Sequence, residues 1–268
     1  MFILVYLLIF VLGLSVGSFM NVCIYRIPKG ESVVTPPSHC TACGKRLKPM
    51  DLIPVFSYIF NKGKCKYCGD KISIRYPAVE LLTGIVFLLL FRRYELDIYF
   101  IFAAYIMSIL IAVFFIDIDH KIIPDGLVLA GIAGGFLLFI YNIFFPVDIF
   151  ISRAWWNPLV GAVTGSGFLF AAALAGSIIY KSDEALGMGD VKIFIPIGMF
   201  LGWRVCIVAL ILAILAGGIY SIAVLVLRIK KKKDIIPFGP FIVIAAFTAL
   251  MAGKELYLWY TGMYVFGL

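Results

Sequence analysis

Four aspartates stand at the borders of long apolar stretches of this chain. Asp117, Asp119 and Asp125 lie in "FFIDIDHKIIPDG", and Asp190 closes the glycine-rich "GMGD". A carboxylate is costly at membrane depth unless it is paired, hydrated or used in chemistry. Two carboxylates brought together there can share a proton, activate a water molecule and protonate a leaving amine, which is the chemistry of an aspartic protease.

The residues alone leave three other uses of these acids open. Asp117 and Asp119 could hold Mg²⁺ in a lipid-phosphate transferase, since carboxylates bind this ion against a diphosphate. The acids could instead relay protons in a transporter. They could also be solvated or capping carboxylates at helix ends.

The neighbours of the acids carry weaker signals. Gly187 and Gly189 predict a close backbone approach or a positive φ beside Asp190. Lys192 is expected to extend toward the membrane interface rather than to lower the pKa of one acid. His120 is interpreted as a solvated loop histidine.

The cysteines form two C-x-x-C pairs, Cys40 with Cys43 and Cys65 with Cys68. This spacing, with a glycine after each pair, is typical of a zinc knuckle, and four thiolates complete a structural tetrahedral site with no open position for catalysis. Two disulfides are the alternative, which a cytoplasmic location disfavours. The remaining cysteines, at positions 23 and 206, lie in apolar stretches and are interpreted as core residues.

The composition indicates a polytopic membrane protein. Of 268 residues, 63% are hydrophobic and 14% are charged, and the mean hydropathy is +1.07. The formal charge of +8 is explained by topology, because Lys and Arg stay on the cytoplasmic side. We therefore expect the protein to be surrounded by membrane lipid and to have no nucleic-acid partner.

The apolar runs predict an all-α fold, a polytopic helical membrane protein with about eight transmembrane helices and a small cytoplasmic zinc-binding insertion that holds the four paired cysteines. The basic segment 26–77 and the run 228–233 should be cytoplasmic. Threading the chain from there puts the N-terminus outside, the loops 117–123 and 181–190 inside, and Asp117 and Asp190 at one membrane depth. The predicted spans are 2–25, 78–92, 98–116, 124–146, 157–180, 191–203, 205–227 and 235–252.

Several blocks of sequence together resemble the type IV prepilin peptidases. They occur in the family order and cover nearly the whole chain. They are "GSFMNVCIYRIP" (17–28), "PPSHCTAC" (36–43), "IPVFSY" (53–58), "GKCKYC" (63–68), "ISIRYPAVELLTG" (72–84), "DIDHKIIPD" (117–125), "GMGDVK" (187–192) and "IPFGPF" (236–241).

The resemblance implies an intramembrane aspartic endopeptidase of the G-x-G-D type in the bacterial inner membrane. Asp117 and Asp190 would be the catalytic pair, and Asp119 and Asp125 supporting acids. The implied substrates are prepilins or pseudopilins of pilus, competence and type II secretion systems. Their basic leader would be cut at a glycine–hydrophobic boundary on the cytoplasmic face. Gly187, Gly189 and Lys192 would support the site.

The family also methylates the new N-terminus with S-adenosylmethionine, an activity associated with the cysteine-containing segment. The implied domains are a first transmembrane helix (1–25), a zinc-binding domain associated with methylation (26–77) and the protease domain (78–268). Glu80, Gly63 and Arg75 are candidates for the methyltransferase site. For Glu80 an interfacial acid near a helix N-terminus is an equally supported interpretation. The oligomeric state, and whether the two acids touch at rest, stay open at this point.

Overall fold

Helices make up most of the part of the chain that the computed structural model describes, which is residues 2–180, 187–227 and 237–262. Within this part there is no β-strand, so the predicted all-α class is confirmed. Short 3₁₀ turns occupy Ile27–Lys29, Pro49–Leu52 and Asp148–Phe150. The α-helices are α1 (Phe2–Arg26), α2 (Phe56–Phe60), α3 (Arg75–Tyr94), α4 (Ile98–His120), α5 (Asp125–Phe144), α6 (Asn157–Tyr180), α7 (Met188–Val226) and α8 (Gly239–Tyr260).

Six of these helices, α1 and α4 to α8, are long and apolar enough to cross a membrane. The predicted span 78–92 corresponds to α3, which carries Glu80, Arg92 and Arg93 and is not among the six. The predicted spans 191–203 and 205–227 both fall within α7, a 39-residue helix interrupted at Gly202. The basic run 228–233 and residues 181–186 of the predicted cytoplasmic loop lie outside the described residues.

Residues 1–112 form one compact unit, in which α1 packs against α3. Two glycines one helical turn apart on α1 make this possible. A Cβ at Gly13 would lie 2.8 Å from the Cα of Gly84, and a Cβ at Gly17 would lie 2.7 Å from the Cα of Glu80. Real Cβ atoms are not found so close to backbone, so the glycines let the two helices approach, as G-x-x-x-G faces do in membranes.

Residues 113–268 form the second unit, in which α7 packs against α5, α6 and α8. Gly161 on α6 and Gly198 on α7 face each other so closely that neither has room for a Cβ. The break in α7 also depends on glycine, because Gly202 has φ 69° and ψ 166°, a conformation essentially closed to other residues. This packing fixes where the N-terminal end of α7 lies within the unit.

Candidate active site and metal-binding module

Asp117 lies in the last turn of α4 with its side chain buried. Its Oδ2 accepts a hydrogen bond of 2.9 Å from the backbone N–H of Gly239, the first residue of α8. The first N–H groups of a helix have no partner within it and carry its positive dipole end, so they favour an anionic acceptor. The bond joins α4 to α8 across 122 positions of sequence.

Asp190 is the third residue of α7 and is half-buried. Its carboxyl group folds back over the N-cap residue, Gly187, where an added Cβ would lie 2.9 Å from Oδ2 of Asp190. At Gly189 an added Cβ would lie 3.0 Å from the Cβ of Ile123. Neither glycine has a positive φ. Close approach is therefore the reason for both glycines of "GMGD", one beneath the acid and one against the segment before α5.

Asp117 and Asp190 both lie in the second unit, within range of an electrostatic interaction between their carboxyl groups. The C-terminal end of α4 and the N-terminal ends of α7 and α8 supply these groups. By contrast, Asp119 and His120 are exposed at the end of α4. The arrangement is suited to two acids that share one proton.

Lys192, two residues beyond the second acid, binds Asp125 in the first turn of α5, with 2.8 Å between Nζ and Oδ1. Both side chains are substantially exposed, at 45% and 68%. Lys192 therefore forms a specific ion pair at an exposed position, a partner that the sequence did not predict. This pair joins the N-terminal ends of α5 and α7.

The four cysteines of the two C-x-x-C pairs converge in the first unit, and their Sγ atoms all lie within 4.8 Å of one another. The Sγ atoms of Cys40 and Cys68 are 3.9 Å apart. In a tetrahedral site with bonds of about 2.3 Å, sulfur atoms are separated by about 3.8 Å. The cluster therefore has the size and donor set of a four-cysteine zinc site, and none of the cysteines is in a disulfide.

Both cysteine turns have the same backbone pattern. Cys40 N–H donates to the carbonyl of Lys45, and Gly44 N–H donates to the carbonyl of Cys40. The second turn repeats these bonds from Cys65 to Asp70 and from Gly69 to Cys65. Both glycines have a positive φ, of 68° and 77°. The backbone N–H groups of residues 68 and 67 lower the pKa of the Cys65 thiol to about 7, which favours the thiolate that a metal binds.

Asp51 links the first cysteine turn region to the second. The hydroxyl of Tyr67 donates to its Oδ2 at 2.8 Å, Lys48 N–H donates to the same oxygen at 3.1 Å, and Lys66 lies 3.7 Å from Oδ1. The bond from Tyr67, with that from Lys48, lowers the pKa of Asp51 below its usual range. Asp51 therefore holds the segment at Lys48 against the second cysteine turn through contacts that do not involve the cysteines.

Glu80 lies on α3 beside a cavity of about 560 Å³ within the first unit. Its side chain is buried, and Oε2 accepts a 2.7 Å bond from the N–H of Val55, whose φ of 62° is rare for a β-branched residue. Gly63 lies instead in a turn against Tyr58, and Arg75 begins α3. Of the three methyltransferase candidates only Glu80 lines the cavity; other lining residues include Arg26, Asp51, Tyr25, Tyr67 and Tyr76.

Comparison with known proteins gives two family models that match adjoining parts of the chain. The Bacterial Peptidase A24 N-terminal domain matches residues 11–94, and the Type IV leader peptidase family matches residues 104–222. A prepilin leader peptidase/N-methyltransferase of Bacillus subtilis is 33% identical over 96% of this chain and 98% of the relative. This chain belongs to the type IV leader peptidase family. The predicted resemblance is confirmed, and the chain is a peptidase.

Other members of the type IV leader peptidase family agree with this assignment. A prepilin leader peptidase/N-methyltransferase of Pseudomonas aeruginosa is 31% identical over 91% of this chain and 89% of the relative. One from Myxococcus xanthus is 36% identical over 81% of this chain and 62% of the relative. No solved structure matches the chain.

Sequence reasoning missed three contributors to the two sites of this leader peptidase. Gly239 was noticed only as part of the "IPFGPF" block, yet its N–H binds Asp117. Their residue types alone do not single out Asp51 or Arg26, yet both line the cavity beside Glu80. Gly239 could have been found from the G-P pair at a helix start. The glycine N–H there has no partner within the helix, and the proline that follows has no N–H.

Proposed function

We propose that this leader peptidase is an intramembrane aspartic endopeptidase with Asp117 and Asp190 as its catalytic pair. The observation that carries the proposal is the approach of these two carboxyl groups at the ends of α4 and α7, with one of them bound by the start of α8. Burial removes competing water from the acids and strengthens their interaction. The surrounding helices hold both acids on regular backbone rather than on loops, which favours a fixed geometry.

The pair would work with one proton shared between two acids. The ionised carboxylate takes a proton from a water molecule, whose oxygen then bonds to the carbonyl carbon of the scissile peptide. The protonated acid gives its proton to the carbonyl oxygen, and in the second step the amine leaves with a proton returned from the pair. No metal is needed at this centre. The ion pair of Lys192 with Asp125 and the glycines Gly187 and Gly189 would maintain the position of the second acid.

The proposed substrates are type IV prepilins or pseudopilins, whose basic leader is removed at a glycine–hydrophobic boundary. This follows from the names of the relatives, which are prepilin leader peptidases/N-methyltransferases. We place the catalytic pair and the cysteine module on the cytoplasmic side of the bacterial inner membrane, because the basic segment 26–77 favours that side. On this basis residues 1–25 are a first transmembrane helix, 26–77 the methylation domain and 78–268 the protease domain.

The cysteine module would hold one structural zinc ion. Cys40, Cys43, Cys65 and Cys68 provide four sulfur donors at the right mutual distances, and the two turns with positive-φ glycines are preformed for them. A segment of this size has little core of its own, so zinc would stabilise it substantially. Four thiolates leave the ion no open position, so its role would be structural.

The second proposed activity is methylation of the new N-terminal residue with S-adenosylmethionine, which the cavity beside Glu80 is suited to hold. Its volume of about 560 Å³ is ordinary for a small-molecule site. Arg26 could bind a carboxylate, and tyrosine rings suit a cationic sulfur and an adenine base. Glu80 and Asp51 offer acceptors for an amine or for ribose hydroxyls. When bound, the cofactor supplies the methyl group; these side chains would bind and orient it.

The test is mass spectrometry of a prepilin co-expressed with the wild type, with Asp117→Asn, with Asp190→Asn or with the control Asp148→Asn. Asp148 is 89% exposed in a surface ion pair, so its loss should matter little. We expect leader removal by the wild type and the control only, with each catalytic variant slowed at least about 1,000-fold. Full cleavage by either catalytic variant would disprove the assignment of the pair.

A further inference from the structure

The start of α8 directs one backbone donor at Asp117. Phe238, the N-cap residue, offers no side-chain cap, and Pro240 at the second helical position has no N–H. The next two N–H groups, of Phe241 and Ile242, donate to the carbonyl of Phe238. The N–H of Gly239 is the one that binds outside the helix, and it binds Oδ2 of Asp117.

Gly239 also leaves space for the Asp117 side chain. A Cβ built on it would lie 2.6 Å from Oδ2, 3.0 Å from Cγ and 3.1 Å from Cβ of Asp117. The backbone does not require glycine here, since the residue is helical and has no positive φ. The requirement is therefore for the absence of a side chain against this carboxyl group.

We propose that Gly239 is a positioning residue for the peptidase reaction, which fixes Asp117 as the ionised acid and leaves its Oδ1 to receive the proton of the attacking water. This rests on the proposed function of Asp117 and Asp190. The N–H of Gly239 occupies Oδ2 and stabilises the carboxylate form, so the shared proton resides on Asp190. The proton from water passes to Oδ1 of Asp117, the water oxygen bonds to the peptide carbon, and Asp190 protonates the carbonyl oxygen.

Two changes at Gly239 separate the effect of its N–H donor from the effect of its missing side chain. Replacing the residue by glycolate puts an ester oxygen in place of the N–H and adds no atoms, while Gly239→Ala keeps the N–H and adds the Cβ. Gly126 is the matched control, since it lies in the first turn of α5 and an added Cβ there meets nothing within 4 Å. The ester and the alanine change are each made at Gly239 and at Gly126, in the full chain. The four variants are purified as monodisperse protein and assayed in lipid bilayers.

We expect both Gly239 variants to lower kcat for leader removal by about 10- to 100-fold with KM nearly unchanged, since a hydrogen bond to a charged group is lost or displaced. Both Gly126 variants should retain wild-type kcat. A purely structural contact would lower the yield of folded protein and leave kcat per folded molecule unchanged, which would overturn the inference. So would wild-type kcat in the ester variant. If the Gly239 variants keep wild-type kcat while Asp190→Asn is inactive, the proposed function stands and only the role of Gly239 is disproved. An active Asp190→Asn variant would disprove both the catalytic pair and the role of Gly239.

Discussion

Lys192 on α7 and Asp125 on α5 form an ion pair with 2.8 Å between Nζ and Oδ1. This pair spans 67 positions of sequence and connects the helix that carries Asp190 to the neighbouring helix start. Because Lys192 lies two residues beyond Asp190, the ion pair restrains the helical turn that carries Asp190. It does so from an exposed position, which limits how much free energy it contributes.

Breaking this ion pair should slow leader removal only modestly. An exposed pair contributes up to about 1 kcal/mol, so we expect Lys192→Met or Asp125→Asn to lower kcat/KM by up to about fivefold. The reversed pair, Lys192→Asp with Asp125→Lys, should recover part of the loss in a double-mutant cycle. The pair between Lys254 and Asp148 is the matched control. Equal losses from breaking either pair would mean that the Lys192 pair has no particular relation to the site.

Gly187→Ala should reduce leader removal strongly while the protein stays folded. The added methyl would lie 2.9 Å from Oδ2 of Asp190, so the carboxyl group would have to leave its position. We expect a loss of at least about tenfold in kcat, measured by the rate of leader release. The control is Gly218→Ala on the same helix, where an added Cβ meets nothing within 4 Å. An unimpaired Gly187→Ala variant would show that the glycine is not needed beneath the acid.

Replacing the cysteines of one turn should remove the metal. We expect about one zinc per wild-type chain and almost none in the Cys40→Ser, Cys43→Ser double variant, by metal analysis of purified protein. Cys23→Ala is the control, since Cys23 is buried in α1 and outside the cluster. Methylation or stability should suffer more than leader removal in the double variant. Equal metal content in the double variant and the wild type would contradict the zinc assignment.

Zinc binding should weaken as the pH falls. Hydrogen bonds from backbone N–H groups lower the pKa of Cys65 to about 7 in the metal-free module. At pH 8 this thiol is mostly ionised before zinc arrives, whereas at pH 6 it must also lose a proton to bind, so protons compete with the metal more strongly at the lower pH. Competition with a zinc-binding dye across pH 6 to 8 measures the effect. An affinity that does not change over this range would exclude thiolate ligands.

Glu80→Gln should impair methylation and spare leader removal. The amide keeps the shape of the side chain and an oxygen for the N–H of Val55, but it removes the ionisable carboxyl group beside the cavity. We expect at least about a tenfold loss of methyl transfer to the new N-terminus and weaker binding of S-adenosylhomocysteine by calorimetry. Glu31→Gln, an exposed change in the same polar segment, is the control. Wild-type binding and methylation by Glu80→Gln would remove Glu80 from that site.

Much of this molecule could be predicted from local sequence. Helix starts and ends follow prolines and glycines, as at Pro124 before α5 and Gly187 before α7. The C-x-x-C spacing predicted a cluster that the structure brings together, because each turn is built by bonds between residues at most five apart. The placement of Asp117 and Asp190 at the borders of apolar runs predicted that they share one end of the helices.

The contacts that decide chemistry depend on packing between distant helices. Nothing within a few residues of Lys192 indicates Asp125 as its partner, and nothing near Asp117 indicates the N–H of Gly239. The sequence also left open why two residues of "GMGD" are glycine, since a close backbone approach and a positive φ both favour glycine. The sequence divided α7 into two spans, because a break at Gly202 looks in sequence like a boundary between two helices.

The sequence by itself determined the family and the helical class and predicted the pair of acids and the cluster of four cysteines, because these depend on residue type and short-range spacing. The tertiary structure alone decided which oxygen of Asp117 is bound and which groups line the cavity beside Glu80. The physical reason is that hydrogen bonds and steric exclusion act over about 3 Å. Only the packed helices bring residues more than one hundred positions apart to that distance.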